Sequence, residues 1–595
     1  MTSVQPPQAT PYASPSAPTT TATQPARSLR SALVEARGAA LVSVALLVVG
    51  IALRLHLYLD QRSLWLDEIW VALNIVGRSF LGLLRPLDYA QSAPVGFLWA
   101  ERLAVVIGGV NELALRAFPF LAGCALLVLL WMLARRLLDV RYAALCLAFA
   151  ALSPLLVYFS NEVKPYIVDA LMAVVLTWLT LDVLEAPDSP RAWRRLVVGG
   201  VLGILLSSPA VFVLAGVGLA LISHPAIGRT RAGWLRLVGT GAIWVALFAL
   251  GYFAIYRSTA NSAYMQSLWK NDFLALPLRT LAHVADTSAR TMWINTLFGE
   301  NEAMLPPKAI VSVALLSALG AFTLMRRHGL PVALLIVLPF VATAGASFAR
   351  LWPLTPRLLL VLVPALLLLL CAGMWTLASL LPVRARGVAL ALLGALYLIP
   401  ASVYGTRKLK EPKRRDDVAP LIRDFMATRN GPAIMYVMGH GTPSWLFYTA
   451  RWREREGEAF RFAATRANVS AHFETRGCIT QEPGLRAVFG PMGKDALTEP
   501  GLAREAAWLA LQPERDVWLL TLSYEHAGGH AMENALLAQG AVRRDERSRQ
   551  GGELRHFRFP ALATPRPDVT CETQVPASPA ASSPAASSST TPAAH

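Results

Sequence analysis

Apolar runs long enough to cross a lipid bilayer recur along this chain, and they set its fold class before any single residue is considered. A spanning helix needs about 20 mostly apolar residues, because the hydrocarbon core offers no water to exposed backbone groups. Such runs lie near 38–59, 117–134, 142–159, 166–184, 195–207, 209–223, 234–256, 309–325, 330–349, 358–381 and 387–404, so eleven spans are expected. The pair 195–207 and 209–223 is short, and Ser207-Ser208-Pro209 would also suit one kinked helix. Basic clusters favour two. Arg135, Arg136 and Arg141; Arg191, Arg194 and Arg195; Arg229, Arg231 and Arg236; Arg326 and Arg327; and Arg384 and Arg386 all fall on the N-terminal, cytoplasmic side if the count is eleven. The same rule accounts for a net charge of +17 without a nucleic-acid partner.

The spans divide the chain. Residues 1–37, rich in Pro, Ser, Thr and Ala, read as a disordered cytoplasmic leader, and 564–595 as a disordered tail. Between them lie a transmembrane region, 38–404, and a polar region, 405–563, which an odd number of spans puts outside. Within the latter, an amphipathic helix at 416–429, a strand at 433–438, a helix near 443–450, a strand near 516–523, a helix near 530–539 and a strand at 555–559 suggest a small α/β domain. Gly439-His440-Gly441 is too incomplete to read as a nucleotide-binding fingerprint. Two external loops, 60–116 and 257–308, are long enough to carry function. In the first, 69–84 and 94–110 read as helices lying at the membrane interface. Cys124, Cys146 and Cys371 fall in apolar runs as packing residues, while Cys478 and Cys571 would be free to pair outside the cytosol.

The first loop opens with adjacent acids, Asp67 and Glu68, in Ser63-Leu64-Trp65-Leu66-Asp67-Glu68-Ile69-Trp70. They can simply mark a helix end in the headgroup region, or they can face protein and substrate. Neighbouring side chains point about 100° apart on a helix, so the two acids are expected to play different roles. Like charges this close raise each other's pKa unless a cation compensates, which calls for an arginine partner for one of them. Arg116, Lys164, Arg290 and Arg357 are external in the same topology.

Leu66-Asp67-Glu68, Pro94 with Phe97, Glu112-Leu113-Ala114-Leu115-Arg116-Ala117-Phe118-Pro119 with Gly123, and Ser153-Pro154 leading to Asn161-Glu162-Val163-Lys164-Pro165-Tyr166 form an ordered set. Together they resemble bacterial GT-C glycosyltransferases of the family 39-like type. These are similar to protein mannosyltransferases, lipid A aminoarabinose transferases and lipopolysaccharide galacturonosyltransferases. The resemblance covers about 38–404 and is strongest over 60–170. It implies a polytopic α-helical GT-C fold in the bacterial inner membrane and a polyprenyl-phosphate sugar donor used on the extracytoplasmic face. It also implies Asp67 as catalytic base and Glu68 held by Arg116. Lys164 and Tyr166 match a motif that would meet donor phosphate, although a headgroup-anchoring lysine and an interfacial tyrosine fit equally. Arg357, in Leu351-Trp352-Pro353-Leu354-Thr355-Pro356-Arg357, resembles a family arginine at the start of a late span, and with Arg290 is expected to bind phosphate. Glu162 would orient Lys164 or act as a second polar group. The chain departs from many relatives in having Ala93-Pro94 where they have two prolines.

The expected reaction is hexosyl or pentosyl transfer to an extracytoplasmic glycan, lipid or protein acceptor, inverting at the anomeric carbon, with no metal or other cofactor required. The rivals are a flippase for lipid-linked glycans and a non-catalytic membrane sensor. A flippase needs polar groups along its spans. Here Asp169 reads as the main ionisable residue within them.

Overall fold

The computed structural model describes residues 29–257, 262–274, 308–410, 414–449, 477–482, 484–490, 498–522 and 525–561. Arg290, Cys571 and most of the loop 257–308 lie outside these residues, as do the first part of the leader and the C-terminal tail. Helix α1 (Leu29–Leu59) starts before the predicted boundary at residue 38, since Ala, Leu, Glu and Arg in 29–37 are good helix formers. Then follow α2 (Leu66–Gly77), α3 (Val95–Gly108), α4 (Glu112–Leu137), α5 (Val140–Leu152), α6 (Pro154–Phe159) and α7 (Tyr166–Glu185).

Among the described residues six helices are long and apolar enough to cross a membrane: Ala40–Leu59, Glu112–Leu137, Tyr166–Glu185, Arg231–Tyr256, Leu330–Phe348 and Leu360–Ser379. Val140–Leu152 and Ala210–Ser223 are shorter apolar helices. The run expected at 142–159 divides where Ser153 accepts from the Leu156 N–H and Pro154 has no N–H to continue the helix. Helix α2 also differs from expectation. It begins at Leu66, taking in both acids, ends at Gly77, and is buried on nearly every side rather than along one interfacial face.

The ends of the bundle differ in chemistry. At one end Arg136 bridges Asp182 (2.8 Å) and Glu185 (2.7 Å), His328 meets the Leu137 carbonyl (2.9 Å), and Arg327 lies 3.6 Å over the Trp375 ring. At the other end the last turn of α1 and the first turns of α2, α4 and α7 converge.

The C-terminal domain is built on one six-stranded sheet, β1 (Ala433–Val437), β2 (Gly477–Glu482), β3 (Leu485–Phe489), β4 (Asp516–Leu522), β5 (Val542–Arg549) and β6 (Gly552–Arg558), in the order β2-β3-β1-β4-β6-β5. Central β1 is parallel to β3 and β4 and buried on both faces, as its unbroken Ala-Ile-Met-Tyr-Val run requires. Met435 and Val437 pack with Phe425 and Trp445, while Ile434 and Tyr436 pack with Leu509 and Met532 on the opposite face. Helix Thr442–Thr449 reaches from this sheet to the membrane region, where Phe447 joins the core that contains α2.

Helices Lys308–His328 and Val363–Ser379 touch backbone to backbone through reciprocal glycines. A Cβ on Gly320 would lie 1.8 Å from the Leu369 carbonyl oxygen, and one on Gly373 would lie 1.9 Å from that of Leu316. Small residues permit such close approach of membrane helices. Gly320→Val should therefore force the pair apart and cost about 1–3 kcal/mol, read as a lower melting temperature in detergent. An unchanged melting temperature would contradict this packing.

Candidate active site

Helix α2 turns its two acids in different directions. Glu68 points inward and is fully buried. Arg116, on the second turn of α4, grips it with a fork: Nε donates to Oε1 at 3.0 Å and Nη2 to Oε2 at 2.8 Å. Charge-assisted, bidentate contacts of this kind are the strong class of hydrogen bond. The Val163 N–H also donates to Oε1 (3.0 Å) and the Trp65 N–H to Oε2 (3.3 Å). Burial would push the Glu68 carboxyl up, but Arg116 and Arg62 outweigh it and hold the group below its ordinary value.

The same cations organise the neighbouring chain. Arg116 donates from Nη1 to the Arg62 carbonyl (2.7 Å) and from Nη2 to that of Ser63 (3.3 Å), fixing the approach to α2. Arg62 donates to the Asn161 carbonyl (2.7 Å) and covers the Tyr158 ring (4.7 Å). Arg54, buried in α1, donates to Ser160 Oγ (3.2 Å) and to the carbonyls of Gly50 (2.9 Å) and Ala150 (3.1 Å). Gly123 leaves room for this contact, since a Cβ there would lie 2.1 Å from Ser160 Oγ. The turn 160–165, which carries Lys164, is thus held from several sides.

Asp67 faces outward into two cations. Lys164 Nζ lies 3.2 Å from Oδ1, and Arg357 Nη1 donates to Oδ2 at 2.7 Å. Lys164 also donates to Gln91 Oε1 (2.8 Å), and Arg357 lies 5.2 Å over the Trp269 ring. Burial raises the Asp67 carboxyl, but Lys164 and Arg357 more than offset this and keep it below its ordinary value. Burial draws Lys164 below its own, against the opposing pull of Asp67. The side chains of Asp67 and Arg357 retain 16% and 26% exposure, so this side of the cluster is open to a ligand.

The Glu162 carbonyl accepts from the Lys164 N–H (2.7 Å), while its carboxylate turns elsewhere. That carboxylate accepts from the Trp65 indole N–H at 3.0 Å, and burial together with the Glu68 charge pushes its pKa up. Tyr166 opens α7, buried edge-on against Phe159 at 5.3 Å. The structure therefore gathers Asp67, Glu68, Arg116, Glu162, Lys164, Tyr166 and Arg357 at one end of the bundle. Sequence reasoning passed over Gln91, Arg62 and Arg54. It also treated Asp169 as the main ionisable residue in the spans, whereas Arg54 sits fully buried in the first of them. An arginine in an apolar run was the available signal. Among the described residues no three His, Cys, Asp or Glu side chains group as a metal site.

Residues 92–252 match the model of a family described as dolichyl-phosphate-mannose-protein mannosyltransferase. No curated protein matches by sequence. ArnT from Cupriavidus metallidurans in the apo state shares 14% identity, with a TM-score of 0.50 over 88% of this chain and 98% of that one. The chain has a GT-C glycosyltransferase fold. ArnT bound to undecaprenyl phosphate gives a TM-score of 0.49 at 14% identity over 87% and 97% of the two chains. The Archaeoglobus fulgidus oligosaccharyltransferase gives 0.43 at 12% identity over 85% and 72%.

Glu68→Gln leaves buried Arg116 without its counter-charge, a change that costs about 3–5 kcal/mol. An unfolded glutamate titrates near 4.5. The folded value is lower, so the Glu68 contribution is complete above 4.5 and is lost as pH falls through the folded value. The variant should melt well below wild type at pH 7, with the gap closing in acid. Equal melting at pH 7 would rule out this role for the pair.

Proposed function

We propose that this chain is a membrane glycosyltransferase that moves a hexosyl or pentosyl unit from a polyprenyl-phosphate donor to a hydroxyl of an extracytoplasmic glycan, lipid or protein. The carrying observation is Asp67, a partly open carboxylate set between Lys164 and Arg357 in a GT-C fold. The donor class agrees with the description of the family matched over 92–252.

In the reaction the acceptor O–H proton passes to Asp67, and the acceptor oxygen bonds to the anomeric carbon from the side opposite the phosphate. The bond from that carbon to the phosphate oxygen breaks, and its electron pair leaves on the phosphate, held by Lys164 and Arg357. Inversion follows from the single displacement. Without ligand, Asp67 is a weak base because both cations stabilise its ionised form. A phosphate competes for the same cations. As they turn toward it, Asp67 loses their compensation while its burial persists, and its affinity for a proton rises. Donor binding would thus activate the base.

Arg290, on the second loop, is a further candidate for the phosphate. The orientation follows from charge: eleven crossings with the N-terminus and arginine clusters cytoplasmic put the acid cluster and the domain 405–563 outside a bacterial inner membrane. A flippase would need free polar groups along a path. Arg54 instead spends its donors on helix carbonyls and Ser160.

Asp67→Asn should lower transfer from a polyprenyl-phosphate sugar by about 10²–10⁴-fold, with unchanged membrane insertion. Normal turnover by the variant would sink the proposal. Mass spectrometry of envelope glycans with and without the gene identifies the sugar and acceptor.

A further inference from the structure

Helix α2 has no side-chain acceptor at its N-cap, and its own contribution to the first turn is limited to Glu68, which accepts from the Trp65 N–H at 3.3 Å. Ser, Thr, Asp or Asn usually occupies the N-cap and accepts a hydrogen bond from the first turn. Here the position is Trp65, whose indole only donates and is spent on Glu162. The free Leu66 N–H, one residue before Asp67, donates instead to Asp416 Oδ2 at 2.9 Å, from 350 residues away. A carboxylate there also suits the positive end of the helix dipole.

Asp416 is one of four consecutive residues that each engage the segment entering α2. Arg414 donates to Asp60 Oδ1 (2.8 Å), Arg415 covers the Trp65 ring (4.1 Å), and Asp417 Oδ1 accepts from Ser63 Oγ (2.8 Å). Ser63 Oγ in turn accepts from the Ala419 N–H (3.2 Å), and the Leu64 N–H donates to Tyr448 Oη (2.7 Å). The C-terminal sheet backs this segment. The Asp417 N–H donates to the Gln550 carbonyl (3.0 Å), and Gly551, at φ +88°, sits so close that a Cβ would lie 1.6 Å from the Arg415 carbonyl oxygen. Residues 414–417 are therefore clamped between the β5–β6 turn and the entry to α2.

We propose that Asp416 is a positioning residue for Asp67, and that the C-terminal domain sets the base by capping the helix that bears it. The inference rests on Asp67 being the base. The carboxylate touches no reacting atom. It fixes where α2 starts, and so where the Asp67 side chain emerges between Lys164 and Arg357.

The test uses the full chain in lipid nanodiscs, with hydrogen exchange and steady-state transfer measured together. Asp416→Ala should lower kcat by about tenfold to a hundredfold, with the donor KM changed by less than about twofold. Exchange should quicken in peptides over 64–70 but not in β1, β4 or β6. Asp416→Asn keeps an acceptor oxygen and should restore most of both properties. Wild-type kcat in Asp416→Ala overturns the proposal, as does an Asn variant as impaired as Ala. Equally faster exchange throughout the sheet does so too, because Asp416 would then serve only the stability of its own domain. Full turnover by Asp67→Asn would remove the base while leaving the exchange result standing, so the two failures are distinguishable.

Discussion

The buried fork between Glu68 and Arg116 is the contact around which one end of the helical bundle is assembled. Burying a carboxylate and a guanidinium is costly, and the cost is offset only where geometry is good and the remaining donors and acceptors are filled. Both conditions hold. Glu68 accepts from Arg116 and from the backbone of Val163 and Trp65, while Arg116 adds the carbonyls of Arg62 and Ser63. One ion pair thereby ties α2, α4, the segment 62–65 and the turn 160–165 together. Two of those elements, α2 and the turn 160–165, with the segment around Arg357, carry the groups proposed for chemistry.

Fixing Glu68 inward leaves its neighbour free to act. Asp67 emerges where Lys164 and Arg357 meet, and the three form a compact cluster of one anion and two cations. Such a cluster is well suited to a monoanionic phosphodiester: it carries an excess positive charge, and its cations can exchange a carboxylate for a phosphate with little movement. In the proposed reaction, Asp67 is restrained in the ligand-free protein and would be released by the donor phosphate.

Much of this was legible in the sequence because it is local or repetitive. The apolar runs, the arginine clusters and the adjacent acids are read within a few residues, and β1 and the helix after it announce themselves by pattern. The pairing of Glu68 with Arg116 and the role of Lys164 came instead from resemblance. What stayed hidden joins distant parts of the chain. Arg54 finds Ser160 106 residues away, and Leu66 finds Asp416 at 350. No periodicity encodes such partners. Proximity in sequence offers Glu162 as an orienting group for Lys164 or a second polar group; its carbonyl meets the Lys164 N–H, while the Trp65 indole that its carboxylate meets lies 97 residues away. The start of α2 was misjudged for a related reason: Trp65 gives no capping signal, because the acceptor for the Leu66 N–H belongs to another domain.

The most direct measurement of this account is the structure of the wild-type protein with a polyprenyl phosphate bound. The expected result is phosphate oxygens in contact with Lys164 and Arg357, both ion pairs to Asp67 lengthened or broken, and the Glu68–Arg116 fork unchanged. Phosphate bound elsewhere, or bound with Asp67 still paired to both cations, would contradict it.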